Sequence, residues 1–504
     1  MNRTDDFSPQ AAERQRLYAD VDALAETVGE RAADWERDRQ LDRQAFRDAA
    51  AIGLTGVEVP KYLGGLGLGF REKVTAAEIL GRRSMAYAFS MINTHNVASR
   101  LAEHGAVSHK RELLPELLAG TRVGSTALTE PGAGSDFGAI TTRAVRDGDG
   151  WVLNGEKAWI TNATVSDVII CYAQTDPEAG SRGIASFLID GTRPGFHRVT
   201  PYRLSGSHLI GTGGFRLEDY RAEPEDLLTE PGSGFRTALA GVNGARIYVA
   251  ALCCAMVHAS LVTATAYGAE RQAFGQPLLK HQGLAWSLAS VANKLEAGRL
   301  LTDRAIDLMD RDDGDEIILA AAHAKKFATE MAEPAIIACI QAMGAEGLRD
   351  RYPLGRHLAD ARVANFVDGS TEIQTERIAR SLTRVYRHPT YEQPADVPDR
   401  RGHAVDRQTA AGPSTAGDGD QSEATQNSDG LSNPVATTID PLPTTEPEQT
   451  TSARPAGGWF GESGEPSDEG SDEAAAVGPA GAGQEDGPPL PPDWLRTDQQ
   501  APSD

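Results

Sequence analysis

Apolar residues recur at i, i+3 and i+4 through the first 124 positions. "AAERQRLYADVDALAETV" (11–28), "LDRQAFRDAAAIGL" (41–54) and "REKVTAAEILGRRS" (71–84) each set their apolar side chains on one face, which predicts helices. Between about 125 and 235 the pattern changes to short runs rich in branched and aromatic residues: "DVIICYAQT" (167–175), "IASFLID" (184–190) and "GGFRLED" (213–219). They lie among the turn signals Asp149-Gly150, Asn154-Gly155 and Pro194-Gly195, so this stretch is expected to be a β region. Helical periodicity returns after Gly234. "GARIYVAALCCAMVHASLVTATAYGAERQAFG" (244–275) is apolar nearly all round, and such a helix is expected to be buried, in part between subunits.

The last 114 residues differ in kind. Residues 391–504 hold five arginines, no lysine and twenty-two carboxylates, which accounts for −17 of the formal net charge of −23. Rich in Gly, Pro, Ser, Thr, Asp and Glu, this segment cannot bury enough apolar surface to offset its ordering entropy, and is expected to be a disordered acidic tail. Two islands, around Trp459 and Trp494, are candidate docking motifs or simple spectators. No basic cluster points to nucleic acid or an anionic membrane surface. No run approaches the apolar length of a membrane span, and the polar N-terminus lacks the core of a signal peptide, so no membrane partner is expected. Cys171, Cys253, Cys254 and Cys339 form no C-x-x-C pair, which implies a reduced, cytoplasmic chain with no metal site.

Candidate chemistry sits in a few short strings. "GGLGLG" (64–69) lacks both the preceding strand and the spacing of a dinucleotide loop and reads as a turn. In "NFVDGSTEIQ" (365–374) a carboxylate, Asp368, stands at a glycine break between helical segments. Capping explains an acid there, and so does catalysis. His95, His258 and His323 stand alone, without ligand spacing.

Four strings in a fixed order decide more: "ALTEPGAGSD" (127–136), "LNGEKAWITNA" (153–163), "ERQAFGQPLLKHQ" (270–282) and "DGSTEIQTERIAR" (368–380). Together they resemble the acyl-CoA dehydrogenase family over roughly residues 10–385, the tail excluded. The resemblance implies an α+β chain. Its parts are an N-terminal helical domain (1–124), a middle β-barrel or sandwich domain (125–235), a C-terminal four-helix bundle (236–390) and the tail (391–504).

It also implies FAD, bound tightly but not covalently. Thr129, Ser135, Trp159 and Thr161 are expected against the flavin, with Arg271, Phe274 and Gln282 at the pyrophosphate and adenine end of a neighbouring subunit's cofactor. Gln341 and Gly344, in "QAMGAEG", and Ser370 complete that set, although Ala345 stands where a glycine is usual. The shared site implies a homo-oligomer, a tetramer by resemblance. Ser135, Asn243 and Arg246 are expected at the thioester.

Asp368 falls where most relatives carry the catalytic glutamate, and the alternative position on the long helix is Ala245. Asp368 is therefore the candidate base for the α-proton. An aspartate reaches about 1.5 Å less far, and a misplacement of about 1 Å can cost a hundredfold; a cyclic or branched acyl group is one way to meet it. The resemblance implies α,β-dehydrogenation of an acyl-CoA, with an electron-transferring flavoprotein as acceptor. The alternatives are a carrier-protein-bound acyl thioester of specialised metabolism and a redox-silent thioester-binding flavoprotein.

Overall fold

A computed structural model describes residues 9–386. The acidic tail and its two tryptophan islands lie outside the described residues. The N-terminal part holds helices α1 (Pro9–Asp38), α2 (Arg43–Ala51), α3 (Phe70–Gly81), α4 (Met85–His104) and α5 (Val107–Leu118). Asp42 caps α2 by accepting from the Ala45 N–H at 2.9 Å, and Ser84 caps α4 by accepting from Tyr87 N–H at 3.2 Å. "GGLGLG" forms the expected turn, with Gly64 (φ 93°) and Gly67 (φ 60°) in the left-handed region.

The middle part has strands β1 (Gly124–Ala127), β2 (Arg143–Asp147), β3 (Gly150–Ile160), β4 (Val168–Gln174), β5 (Ile184–Asp190), β6 (Phe196–Arg198), β7 (Gly213–Ala222) and β8 (Leu227–Thr229). They join in the order β6-β7-β3-β2-β4-β5-β8, with β1 parallel beside β4. The sheet curls on itself: Trp151 of β3 meets Phe187 of β5 edge-on at 5.5 Å although β2 and β4 lie between them. Ala144, Leu153, Ile169, Cys171, Phe215 and Tyr220 fill the enclosed core. The other face of β4 and β5, with Ile170, Tyr172 and Leu188, packs on Leu101 and Leu117 from α4 and α5.

One expected turn is not a turn. Asn154-Gly155 lies inside β3, where the register against β7 shifts. Gly155 has φ 152°, and a Cβ there would come within 2.6 Å of Thr142 Cα, so the glycine serves a bulge. Asn154 exchanges hydrogen bonds with Asp219 across that bulge, at 3.1 and 2.8 Å. The dipeptide has turn chemistry in either setting, and strand pairing overrode it.

The C-terminal part is built on α6 (Gly234–Glu270), α7 (Gln282–Asp310) and α8 (Gly314–Met343), with α9 (Leu354–Ala364) and α10 (Thr371–Val385) packed against them. A short hairpin of β9 (Gln272–Ala273) and β10 (Gln276–Pro277) joins α6 to α7. By length and composition α6 could cross a membrane, but most of its apolar stretch is buried inside this chain. Ile247, Val249, Leu252, Cys253, Met256 and Val257 share one core with α3, α4, α7 and α8. All four cysteines are free and buried.

Candidate active site

α9 ends at Ala364 and α10 begins at Thr371, so the connection, 365–370, is six residues long. Thr371 closes it with two bonds to Asn365, backbone N–H to carbonyl at 3.1 Å and Oγ1 to Oδ1 at 3.0 Å. Within the loop Asp368 (φ 53°) and Gly369 (φ 88°) are both left-handed. Asp tolerates that region better than most residues and Gly occupies it freely. The N-cap of α10 is Ser370, and no backbone N–H donates to the Asp368 carboxyl. Capping is therefore not its role.

Three long side chains hold the loop by its carbonyls. Arg246 of α6 donates from Nε to the Asp368 carbonyl at 3.0 Å, and from Nη1 to Asn243 Oδ1 at 2.8 Å. Lys325 of α8 donates from Nζ to the Gly369 carbonyl at 2.8 Å. Gln374 donates to the same oxygen at 2.9 Å. Arg246 is 2 % exposed and Lys325 is fully buried, so neither is a solvated surface cation. A Cβ at Gly369 would sit 3.1 Å from Gln374 Nε2 and 3.2 Å from Arg246 Nη2, which favours glycine at this position.

These bonds spend the cations on the backbone and leave the carboxylate unpaired. Asp368 Oδ2 is shut off from solvent and has no hydrogen-bond partner. Burial pushes its carboxyl up to about 6, with Lys325 and then Arg246 pulling the other way. Burial pulls the Lys325 ammonium down to about 8 and the Arg246 guanidinium down to about 10, and Asp368 opposes both shifts. The backbone N–H groups of Asp368 and Gly369 donate to no protein acceptor. A half-buried carboxylate with one shielded, unpaired oxygen beside free N–H donors can accept a proton from carbon and stabilise an adjacent oxyanion.

Asn243, Arg246 and Asp368 thus come together as the sequence suggested, although Arg246 grips the backbone of Asp368. Lys325 was missed. In "AAHAKKFATE" it looks like one of two helix-surface lysines, and only its burial distinguishes it from Lys326. Ala245, at the alternative base position, is buried in the core.

The strings around Thr129 and Trp159 also meet. The Ala158 N–H donates to the Thr129 carbonyl at 3.0 Å, and Ser125 Oγ donates to the Thr161 carbonyl at 2.7 Å. A buried ion pair fastens them: Lys157 Nζ lies 2.8 Å from Glu130 Oε1 and 3.0 Å from the Leu128 carbonyl. Burial opposes ionisation of Glu130, but Lys157 and bonds from Thr141 and Thr142 outweigh it and hold the carboxyl at about 2. Both residues lie inside the quoted motifs, yet nothing in their order revealed the pairing.

The surface above this staple fits a flavin. Trp159 is 60 % exposed, with φ 61°, and touches Tyr202 edge-on at 4.8 Å. The hydroxyls of Thr129, Ser135 and Thr161 make no hydrogen bond to protein, and a Cβ at Gly132 would meet nothing within 4 Å. An open apolar ring beside unclaimed hydroxyls suits a flat group with a polar edge.

Arg271 caps the end of α6, Phe274 sits on the β9–β10 turn and Gln282 opens α7; all three are exposed, Phe274 at 97 %, and Phe274 meets His281 edge-on at 5.9 Å. Gln341 and Gly344 (φ 64°) are exposed at the end of α8, and Ala345 is exposed beside them. Ser370 is half-buried at the start of α10. Among the described residues no group of His, Cys, Asp and Glu could hold a metal.

The acyl-CoA dehydrogenase N-terminal, middle and C-terminal domain families match residues 11–121, 125–220 and 232–383. The mouse short-chain specific acyl-CoA dehydrogenase, a mitochondrial protein, is 34 % identical over 357 residues, 71 % of this chain and 86 % of its own. The solved structure of PigA with FAD and proline superposes with a TM-score of 0.69 at 26 % identity, over 76 % of this chain and 99 % of that one. The prolyl acyl carrier protein oxidase AnaB gives 0.68 at 26 % identity, over 74 % and 99 %. The motifs, the three-part fold and these relatives agree: the chain belongs to the acyl-CoA dehydrogenase family of FAD-dependent oxidoreductases that act on CH–CH bonds.

Proposed function

We propose that this protein performs α,β-dehydrogenation of an acyl-CoA thioester, with Asp368 as the base that removes the α-proton. The observation that carries the reading is the unpaired, solvent-shielded Oδ2 of Asp368. Raised to about 6, the carboxyl is still largely ionised at neutral pH and is a stronger base than an exposed aspartate. The proton passes from the α-carbon to Asp368 while the Asp368 N–H, free of protein acceptors, supports charge developing on the thioester oxygen. Bound FAD supplies the acceptor for the hydride that leaves the β-carbon. Arg246, Lys325 and Gln374 keep the loop in the left-handed geometry that aims the short aspartate side chain.

That short reach is consistent with a cyclic or branched acyl group, which presents its reacting hydrogen differently from a straight chain. Thr129, Ser135, Trp159, Thr161, Gln341, Gly344 and Ser370 would hold FAD, and Ser135, Asn243 and Arg246 would flank the thioester. Arg271, Phe274 and Gln282, exposed along the connection from α6 to α7, would complete the cofactor site of a second copy in a homotetramer. The reaction fits a cytoplasmic enzyme passing electrons to an electron-transferring flavoprotein.

A second reading, an acyl group on a carrier protein, is supported by the likeness to the oxidase AnaB. Anaerobic titration of the purified flavoprotein with straight, branched and cyclic acyl-CoA esters tests both. Bleaching of the visible flavin band by a CoA ester supports the first, bleaching only by carrier-bound esters supports the second, and no bleaching by either rejects dehydrogenation.

A further inference from the structure

Near Asn243 and Arg246, part of the otherwise apolar seam between α3, α4 and α6 is polar where an alkyl chain would want apolar walls. Phe70 of α3 packs on Gly244 of α6, its Cε2 lying 3.3 Å from where a Cβ would be. Gly244 adjoins Asn243, which binds Arg246. Lys73, at i+3 from Phe70 on α3, holds its ammonium 4.7 Å from the Phe70 ring centroid. It pairs there with Glu58, and reaches Asn96 Oδ1 on α4 at 3.4 Å. The Asn96 amide lies beside the Tyr248 phenol, whose ionisation is opposed by burial and by Asp368. Polar side chains therefore run from Tyr248 through Asn96 to the Lys73–Glu58 pair, and Asp368 lies near enough to Tyr248 to oppose its ionisation.

Two further features suit a ligand with polar atoms. Asn93, one turn back along α4 from Asn96, has a buried Oδ1 with no partner. Glu58 keeps 25 % of its side-chain surface open while Lys73 keeps 8 %. The cluster is neutral as a whole: Lys73 offsets Glu58, and His95, which accepts from the Glu58 N–H at 3.1 Å, is held uncharged by burial. A neutral cluster offering both donors and an acceptor matches a hydroxyl better than an alkyl chain or an ionised carboxylate.

We propose that this seam is the acyl end of the site and that it selects a thioester whose acyl group carries a hydroxyl beyond the reacting carbons, received by Asn96 and the Lys73–Glu58 pair. The inference rests on the dehydrogenase reading above. Its test is anaerobic flavin reduction by matched CoA esters: butyryl and valeryl, 4-hydroxybutyryl and 5-hydroxyvaleryl, succinyl and glutaryl. The hydroxyacyl esters should reduce the flavin with a specificity constant at least about tenfold above the alkyl esters, because a site built for a hydroxyl leaves polar groups unpaired against its deoxy analogue. Asn96→Leu, which alters no group assigned to catalysis, should bring that ratio towards one while alkyl esters still react. Alkyl or dicarboxylic esters that react as fast as the hydroxyacyl ones overturn the inference and leave dehydrogenation standing. If no thioester reduces the flavin, both fall together.

Discussion

Arg246 binds Asp368 by its backbone carbonyl, at 3.0 Å, and makes no ion pair with its carboxylate. A guanidinium on the carboxyl would stabilise the ionised form and weaken the base. Placed on the carbonyl, the same cation fixes the loop while the carboxyl stays unpaired. The relationship implies separable roles for the base and for the groups that hold it.

Replacing the base should abolish chemistry and spare binding. Asp368→Asn keeps the shape and the tolerance for left-handed backbone, so FAD content and fold should match the wild type. Flavin reduction should fall by about a hundredfold to ten-thousandfold, the range for a general base. Stopped-flow absorbance with any thioester that bleaches the wild type checks this.

The pH dependence should report the same carboxyl. Flavin reduction should rise with pH through about 6 and level off above it, because the ionised form is the active one. Lys325 lowers that value, so Lys325→Met should move the rise to higher pH. Gln374 still donates to the Gly369 carbonyl in that variant, so the loss of stability should be modest, about 1 kcal/mol. A pH–rate profile with parallel thermal melts separates the two effects.

The Glu130–Lys157 pair should matter for cofactor retention. Both side chains are almost fully buried, and Lys157→Met would leave Glu130 charged without its cation. Breaking such a pair costs about 3–5 kcal/mol. Denaturant unfolding should show that loss, and gel filtration should show FAD released from the loosened Thr129–Trp159 surface.

Asp360 offers a test of stability against pH that leaves the chemistry alone. It is buried, accepts from Ser207 Oγ at 2.5 Å, and burial pushes its carboxyl up from 3.8 to about 7. A raised folded value means its contribution is complete below 3.8 and is lost as pH rises through about 7. Asp360→Asn keeps an acceptor for Ser207, so it should melt higher than the wild type at pH 8, and the gain should vanish near pH 4.

Much of this was legible in the sequence because motif order is a one-dimensional property. Period alone gave α1, α2, α3 and α6, and branched runs gave β4, β5 and β7. Asn154-Gly155 misled, since a bulge and a turn ask for the same residues. Asp368 was visible as a carboxylate at a glycine break, but its freedom from capping depends on where Ser370 falls. Lys325 and the Glu130–Lys157 pair could not be read, because burial of a charge is decided by segments tens of residues away.

The most direct measurement follows the α-hydrogen itself. The wild type and Asp368→Asn, each loaded with FAD, would be mixed anaerobically with α-deuterated thioester, and both flavin bleaching and loss of the label to solvent recorded. Deuterium should slow bleaching by the wild type, and the variant should bleach and exchange the label at least about a hundredfold more slowly while keeping its flavin. A variant that bleaches and exchanges at the wild-type rate would contradict it.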